Sequence, residues 1–125
     1  MPTRVLVVDD EPAIANVVAL KLRNAGLDVT VAMDGHEGYE QALHERPDFI
    51  ITDLQMPGMS GLEMVARLTA ELGEGIPTIL LTAKGFEIGE AAIENLPICR
   101  VMTKPFSPRE LLGAVRLALG QCVVN

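Results

Sequence analysis

Phe49-Ile50-Ile51-Thr52-Asp53-Leu54-Gln55-Met56-Pro57-Gly58 decides how this chain folds. Aromatic and β-branched side chains run straight into a carboxylate. Turn formers follow at once at Pro57, Gly58, Ser60 and Gly61. Such a run predicts a buried strand that ends at Asp53. Aspartate is also a common strand terminator. A carboxylate at the carboxyl end of a buried strand nonetheless packs badly and suits a crevice.

The flanking sequence repeats this pattern. Upstream, Arg4-Val5-Leu6-Val7-Val8 is a continuous apolar run, as expected of a strand buried on both faces. It stops at Asp9-Asp10-Glu11, and Pro12 opens a helix whose apolar positions are Ile14, Val17, Val18, Leu22 and Ala25, with Gly26 as its stop. One acid would complement that helix N-terminus, and three exceed the need. Asp28 to Ala32 predicts a second strand. Asp34 and Glu37 form a capping box for a helix running to about Arg46, with Tyr39, Ala42 and Leu43 as its apolar face. His36 and His44, in or beside it, lack partners at metal-ligand spacing and read as solvated.

Downstream of Asp53, Ser60 and Glu63 form another capping box, and Leu62, Val65, Leu68 and Leu72 line the helix that Gly73 ends. Residues 77–81 predict a fourth strand ending at Thr82-Ala83-Lys84. Residues 85–96 form the weakest helix, since Gly85 and Gly89 each cost roughly 1 kcal/mol against alanine in a helix interior. A short fifth strand, Arg100-Val101-Met102, leads to Thr103-Lys104-Pro105-Phe106. Ser107-Pro108-Arg109-Glu110 then combines an N-cap, an N1 proline and an N3 glutamate ahead of a stripe of Leu111, Leu112, Val115, Ala118 and Leu119.

Composition narrows the function. A chain of 125 residues fits one domain, and a hydrophobic fraction of 49% supplies a core. With 10 basic against 17 acidic residues the formal charge is −7, which argues against direct nucleic-acid binding and permits cations or basic protein surfaces. Cys99 and Cys122 have no metal spacing and read as buried or incidental thiols. No apolar run reaches membrane length and the N-terminus does not read as a signal peptide, so a cytoplasmic location is expected.

Five strands alternating with helices predict an α/β domain with a parallel sheet covered on both faces. In such sheets ligands bind beyond the carboxyl ends of the strands. Those ends carry Asp9 and Asp10, Asp53, Thr82, and Lys104. If the first and third strands are neighbours, as in the order 2-1-3-4-5, three carboxylates converge with Thr82 and Lys104 beside them. Two carboxylates ~4 Å apart repel by roughly 4 kcal/mol at an effective dielectric near 20. Lys104 offsets part of this, and a hard cation such as Mg²⁺ the rest. The set suits phosphoryl transfer to a carboxylate, with Asp53 as nucleophile, Lys104 neutralising charge and Thr82 donating a hydrogen bond.

Asp9-Asp10-Glu11, Asp53 to Gly61, Thr82-Ala83 and Lys104-Pro105-Phe106 together resemble the receiver domain of bacterial two-component response regulators. The likeness spans Val5 to about Leu119. It implies a flavodoxin-like (βα)5 fold with strand order 2-1-3-4-5, an order taken from the family and not from spacing. It implies one receiver domain over residues 1–125, with its core at about 4–120. It also implies that Asp53 accepts a phosphoryl group from a sensor histidine kinase or phosphotransfer protein. Asp10, Asp53 and the Gln55 carbonyl would ligate Mg²⁺, with Asp9 positioning it. Lys104 would contact the phosphoryl group, Thr82 would shift toward it, and Gln55 and Lys84 would tune its lifetime. A cis Lys104–Pro105 bond is expected. Output would pass by protein contact through residues 84–119, without turnover of an external substrate. Where the family commonly has Tyr or Phe, three residues before the lysine, this chain has Val101, so the resemblance carries over phosphorylation but not the usual aromatic rotamer switch. The chain would be either a stand-alone receiver or one cut from a longer regulator. A flavodoxin-like cofactor module is the alternative, but it would want a phosphate-cradling loop after the first strand, where this chain has three acids. An aspartyl-phosphate phosphatase would need a cap and a general acid for which there is little room.

Overall fold

Strands that are apolar on both faces need a helical layer on each side. The computed structural model, which describes residues 3–83 and 88–120, has that arrangement. Five strands, β1 (Arg4–Val8), β2 (Asp28–Ala32), β3 (Phe49–Asp53), β4 (Thr78–Thr82) and β5 (Ile98–Thr103), form one parallel sheet in the order β2-β1-β3-β4-β5. They alternate with α1 (Pro12–Asn24), α2 (Gly35–His44), α3 (Gly61–Leu72), α4 (Glu90–Ile93) and α5 (Pro108–Ala118). The fold and strand order expected from the sequence are therefore observed.

The sheet separates two cores. Val5, Val7, Phe49, Ile51, Ile79 and Leu81 face α1 and α5, whereas Leu6, Val8 and Ile50 face α2 and α3. The period-two alternation within β1 and β3 thus serves both layers at once. Three predicted caps form: the side chains of Asp34, Ser60 and Ser107 accept from the N–H groups of Glu37 (2.8 Å), Glu63 (3.1 Å) and Glu110 (3.0 Å).

Several expectations fail at the margins. Val17 and Leu43, read as core-facing, are exposed, and Ala114 is buried in α5 where Ala118 is not. Among the described residues the fourth helix is a single turn. Gly89 is its N-cap, and the following N–H of Leu96 already closes a tighter turn onto Ile93 O. Glycine's conformational entropy works against extending it toward Gly89. β5 is longer than predicted and, as an edge strand, leaves residues 99–101 exposed. Cys99 is consequently an exposed thiol donating to Thr78 O (3.3 Å), not a buried one. Lys84, Gly85 and Cys122 lie outside the described residues. His36 and His44 are not buried.

Candidate functional site

The carboxyl ends of β1, β3, β4 and β5 share one rim because the sheet is parallel and its register is nearly unstaggered. Val8 pairs with Thr52, Asp53 with Leu81, and Thr82 with Thr103. Asp9 and Asp10 follow β1, Asp53 ends β3, Thr82 ends β4, and Lys104 follows β5. Backbone bonds tie these ends together: Asp9 N–H donates to Ala32 O (3.1 Å), Leu54 N–H to Leu81 O (2.8 Å) and Lys104 N–H to Thr82 O (2.8 Å).

The side chains converge accordingly. Lys104 Nζ lies 3.3 Å from Asp53 Oδ2, 3.3 Å from Asp9 Oδ2 and 3.0 Å from Glu11 Oε1. Asp9, Asp10, Glu11 and Asp53 each offer an oxygen, all within 4.8 Å of one another. Asp9 and Asp53 are buried, while Asp10 and Glu11 are exposed. An opening of about 260 Å³ lies over them, lined by Asp10, Glu11, Asp53, Gln55, Ala83 and Lys104. Thr82 is buried at the same rim, and its Oγ1 is the one buried side-chain polar atom without a hydrogen-bond partner among the described residues. An orphan hydroxyl costs about 1–3 kcal/mol, so an acceptor that reaches it is stabilised. The Lys104–Pro105 bond is cis, as expected.

Burial raises the Asp53 carboxyl above the ordinary carboxylate range, and the nearby Lys104 charge only partly counters this. Asp9 is raised for the same reason, against the pull of the Glu11 N–H and Lys104. Burial alone would lower Lys104, but the hydrogen bond to Glu11 and the charges of Asp53 and Asp9 hold it above the ordinary lysine value. Among the described residues, one ammonium among four carboxylates leaves the rim anionic. Hard, mostly anionic oxygen donors in a half-open setting fit Mg²⁺, which keeps several waters and takes few carboxylates. They do not fit a bare phosphate or a flavin phosphate.

Of the residues given a role from sequence, Asp9, Asp10, Asp53, Thr82 and Lys104 are at this rim, with Gln55 at the mouth of the opening, and Lys84 lies outside the described residues. Two residues were missed. Glu11 was grouped with its acidic neighbours without a role of its own. The signal for it is that glutamate is a poor N-cap, yet it occupies the N-cap of α1 and makes no side-chain capping bond there. Gly61 is the other. A Cβ at this position would overlap Asp53 O and touch Thr52 Oγ1 at 3.1 Å, and its N–H donates to Leu54 O (2.9 Å). Only glycine lets α3 begin directly beneath the backbone of Asp53.

Comparison with known proteins agrees with this geometry. Residues 5–116 match the family model described as the response regulator receiver domain. The chain is 39% identical over 118 residues to the probable transcriptional regulatory protein TcrX of Mycobacterium tuberculosis, covering 94% of this chain and 50% of the relative. It is 35% identical over 119 residues to the DNA-binding response regulator MtrA of Mycolicibacterium smegmatis, covering 95% and 51%. The chain thus spans about half the length of the curated relatives it matches. Among solved structures it is similar to the chemotaxis protein CheY4 of Vibrio cholerae, with 29% identity, a TM-score of 0.84 and coverage of 94% of this chain and 98% of that one.

Proposed function

The chain belongs to the response regulator receiver domain family, and on that premise we propose that Asp53 accepts a phosphoryl group from a phosphohistidine and that the phosphorylated rim changes which protein the chain binds. The observation that carries this reading is the buried Asp53 carboxylate, 3.3 Å from the Lys104 ammonium, at a rim with the unpartnered Thr82 hydroxyl. The unit that does this spans about residues 4–120.

In the reaction, an Asp53 oxygen attacks phosphorus as the phosphorus–nitrogen bond breaks; the donor ring, already protonated on its other nitrogen, keeps the bonding pair and leaves as neutral imidazole. Mg²⁺ held by Asp10, Asp53 and the Gln55 carbonyl, with Asp9 behind, would neutralise charge on the phosphoryl oxygens. Lys104 neutralises another oxygen from the β5 side. Asp53 needs to be ionised to attack, and burial works against that, so the Lys104 ammonium does double service: it holds the carboxylate charged and it neutralises an incoming oxygen, and a bound Mg²⁺ would add to both effects. Thr82 gains the acceptor it lacks once a phosphoryl oxygen is in reach. The chain acts as a phosphoacceptor that promotes its own phosphorylation and hydrolysis, and it turns over no external substrate.

The donor is a sensor histidine kinase or a phosphotransfer protein. Beside the rim, Ala13, Ile14, Val17 and Phe106 line an apolar groove of about 570 Å³ that shares Glu11, Ala83 and Lys104 with the opening over Asp53, which supports delivery by a protein surface. Output is read from residues 84–119, where Val101 and Leu117 are exposed. With valine at position 101, the Thr82 shift is transmitted without an aromatic rotamer.

Acetyl phosphate labelling tests the assignment. Asp53→Asn is expected to abolish labelling, and full labelling of that variant would remove Asp53 from the role. Tight, Asp53-dependent binding of beryllofluoride with Mg²⁺ is the second expectation, and flavin absorbance on purification would favour a cofactor module instead.

A further inference from the structure

Lys104 has three N–H donors, and all three are engaged, by Asp9, Asp53 and Glu11. A phosphoryl oxygen can bind this ammonium only if one of them lets go. The three partners differ in what release costs. The side chains of Asp9 and Asp53 are 1% and 7% exposed, that of Glu11 57%. Releasing a buried carboxylate leaves an uncompensated charge in a poorly solvated site, whereas a released Glu11 returns to water. Glu11 also makes the shortest of the three contacts, at 3.0 Å.

Glu11 is built for this contact more than for its own helix. It holds the N-cap position of α1 in extended conformation but makes no side-chain capping bond. Its backbone N–H is fixed by Asp9 Oδ1 at 2.9 Å, which leaves the side chain free to reach Lys104. It lines both the opening over Asp53 and the adjoining apolar groove, so whatever approaches Asp53 from the groove passes it.

We propose that Glu11 is a latch on Lys104, a positioning residue that occupies the ammonium donor required by the incoming phosphoryl group and yields it when that group arrives. The proposal rests on Asp53 being the phosphoacceptor. No covalent bond changes in the exchange and the proton stays on Lys104; one anionic acceptor replaces another at the same donor. The latch slows phosphorylation by small donors, which bring no surface to displace Glu11.

The test is a double-mutant cycle over wild type, Glu11→Gln, Lys104→Ala and the double variant, each with Mg²⁺ present. Glutamine keeps the volume and removes the charge. Phosphoramidate labelling of Asp53 and beryllofluoride affinity are expected to rise about two- to tenfold in Glu11→Gln, the worth of a partly screened charged hydrogen bond. Mg²⁺ affinity is expected to fall by no more than about fivefold, the worth of an exposed charge close to the ligands. On the Lys104→Ala background the gain should vanish. No gain in Glu11→Gln overturns the latch. An equal gain without Lys104 overturns it in favour of simple repulsion of anionic donors. A large loss of Mg²⁺ affinity overturns it in favour of Glu11 as a metal ligand. Should Lys104→Ala not fold, the Lys104 ammonium NMR signal decides: it should move on Glu11→Gln, and an unmoved signal overturns the latch. A wild type that never labels would defeat the assignment of Asp53 itself, whereas normal wild-type labelling without a Glu11 effect defeats the latch alone.

Discussion

Asp53→Asn should make the metal-free protein more stable, although it removes half of an ion pair. The Lys104 ammonium is 3.3 Å from Asp53 Oδ2, worth about 5 kcal/mol of attraction at an effective dielectric near 20. Asp9, within 4.8 Å and equally buried, returns at least about 3 kcal/mol of repulsion on the same scale. Asp10 and Glu11 add to the repulsion through water. The Coulomb contributions nearly cancel, so the burial penalty decides the sign, consistent with an Asp53 carboxyl raised above the ordinary range. Asparagine keeps an oxygen acceptor for Lys104 without that penalty. We expect a gain of about 1–2 kcal/mol, or about 4–8 °C in Tm for a chain of this size. Urea and thermal unfolding in EDTA measure it. Mg²⁺ should then stabilise wild type by about 1.4 kcal/mol at tenfold excess over Kd, and the variant much less. An Asp53→Asn protein that is less stable than wild type without metal, or that gains as much from Mg²⁺, would refute the reasoning.

Other outcomes follow from the same rim. Because Asp9 and Asp53 hold protons in the folded state that the unfolded chain has already released, metal-free stability should fall as pH rises from the ordinary carboxylate value of 3.8 through their raised folded values; urea titrations across that range should show the slope, and Asp9→Asn should flatten it. Lys104 works in the same direction at alkaline pH: its contribution is complete below the ordinary lysine value of 10.5 and is lost as pH climbs through its raised folded value. Asp10→Ala should weaken Mg²⁺ binding at least about tenfold, read by calorimetry, and an unchanged affinity would move the metal elsewhere. Gly61→Ala should cost about 1–3 kcal/mol through overpacking beneath Asp53, while Gly113→Ala, in an open stretch of α5, should add about 0.5–1 kcal/mol; equilibrium unfolding of the pair checks both.

What the sequence disclosed, it disclosed through local chemistry. The capping pairs at Asp34, Ser60 and Ser107 and the doubly apolar runs in β1 and β3 are local signals, and all appear in the structure. The convergence of the rim needed the strand order, which no spacing supplies; it came with the family likeness. The margins failed where tertiary context rules. Val17 has helical spacing but sits at the border between the core and the groove. The reach of β5 depends on pairing with β4, including a register shift near Thr78 and Ile79, and pairing has no local signature. The misfit of Glu11 as an N-cap is a local signal, but its contact with Lys104 is not, because that partner is 93 residues away.

That separation in sequence has a consequence for synthesis and damage. The acids arrive with the first and third strands, but the ammonium that makes their proximity tolerable arrives with the last. A nascent chain, or one clipped before Ile98, therefore carries these acids without the Lys104 ammonium that pairs with them. If Asp53 is the phosphoacceptor we propose, its chemistry is thereby tied to completion of the sheet, and a half-made molecule would carry that aspartate without its ammonium partner.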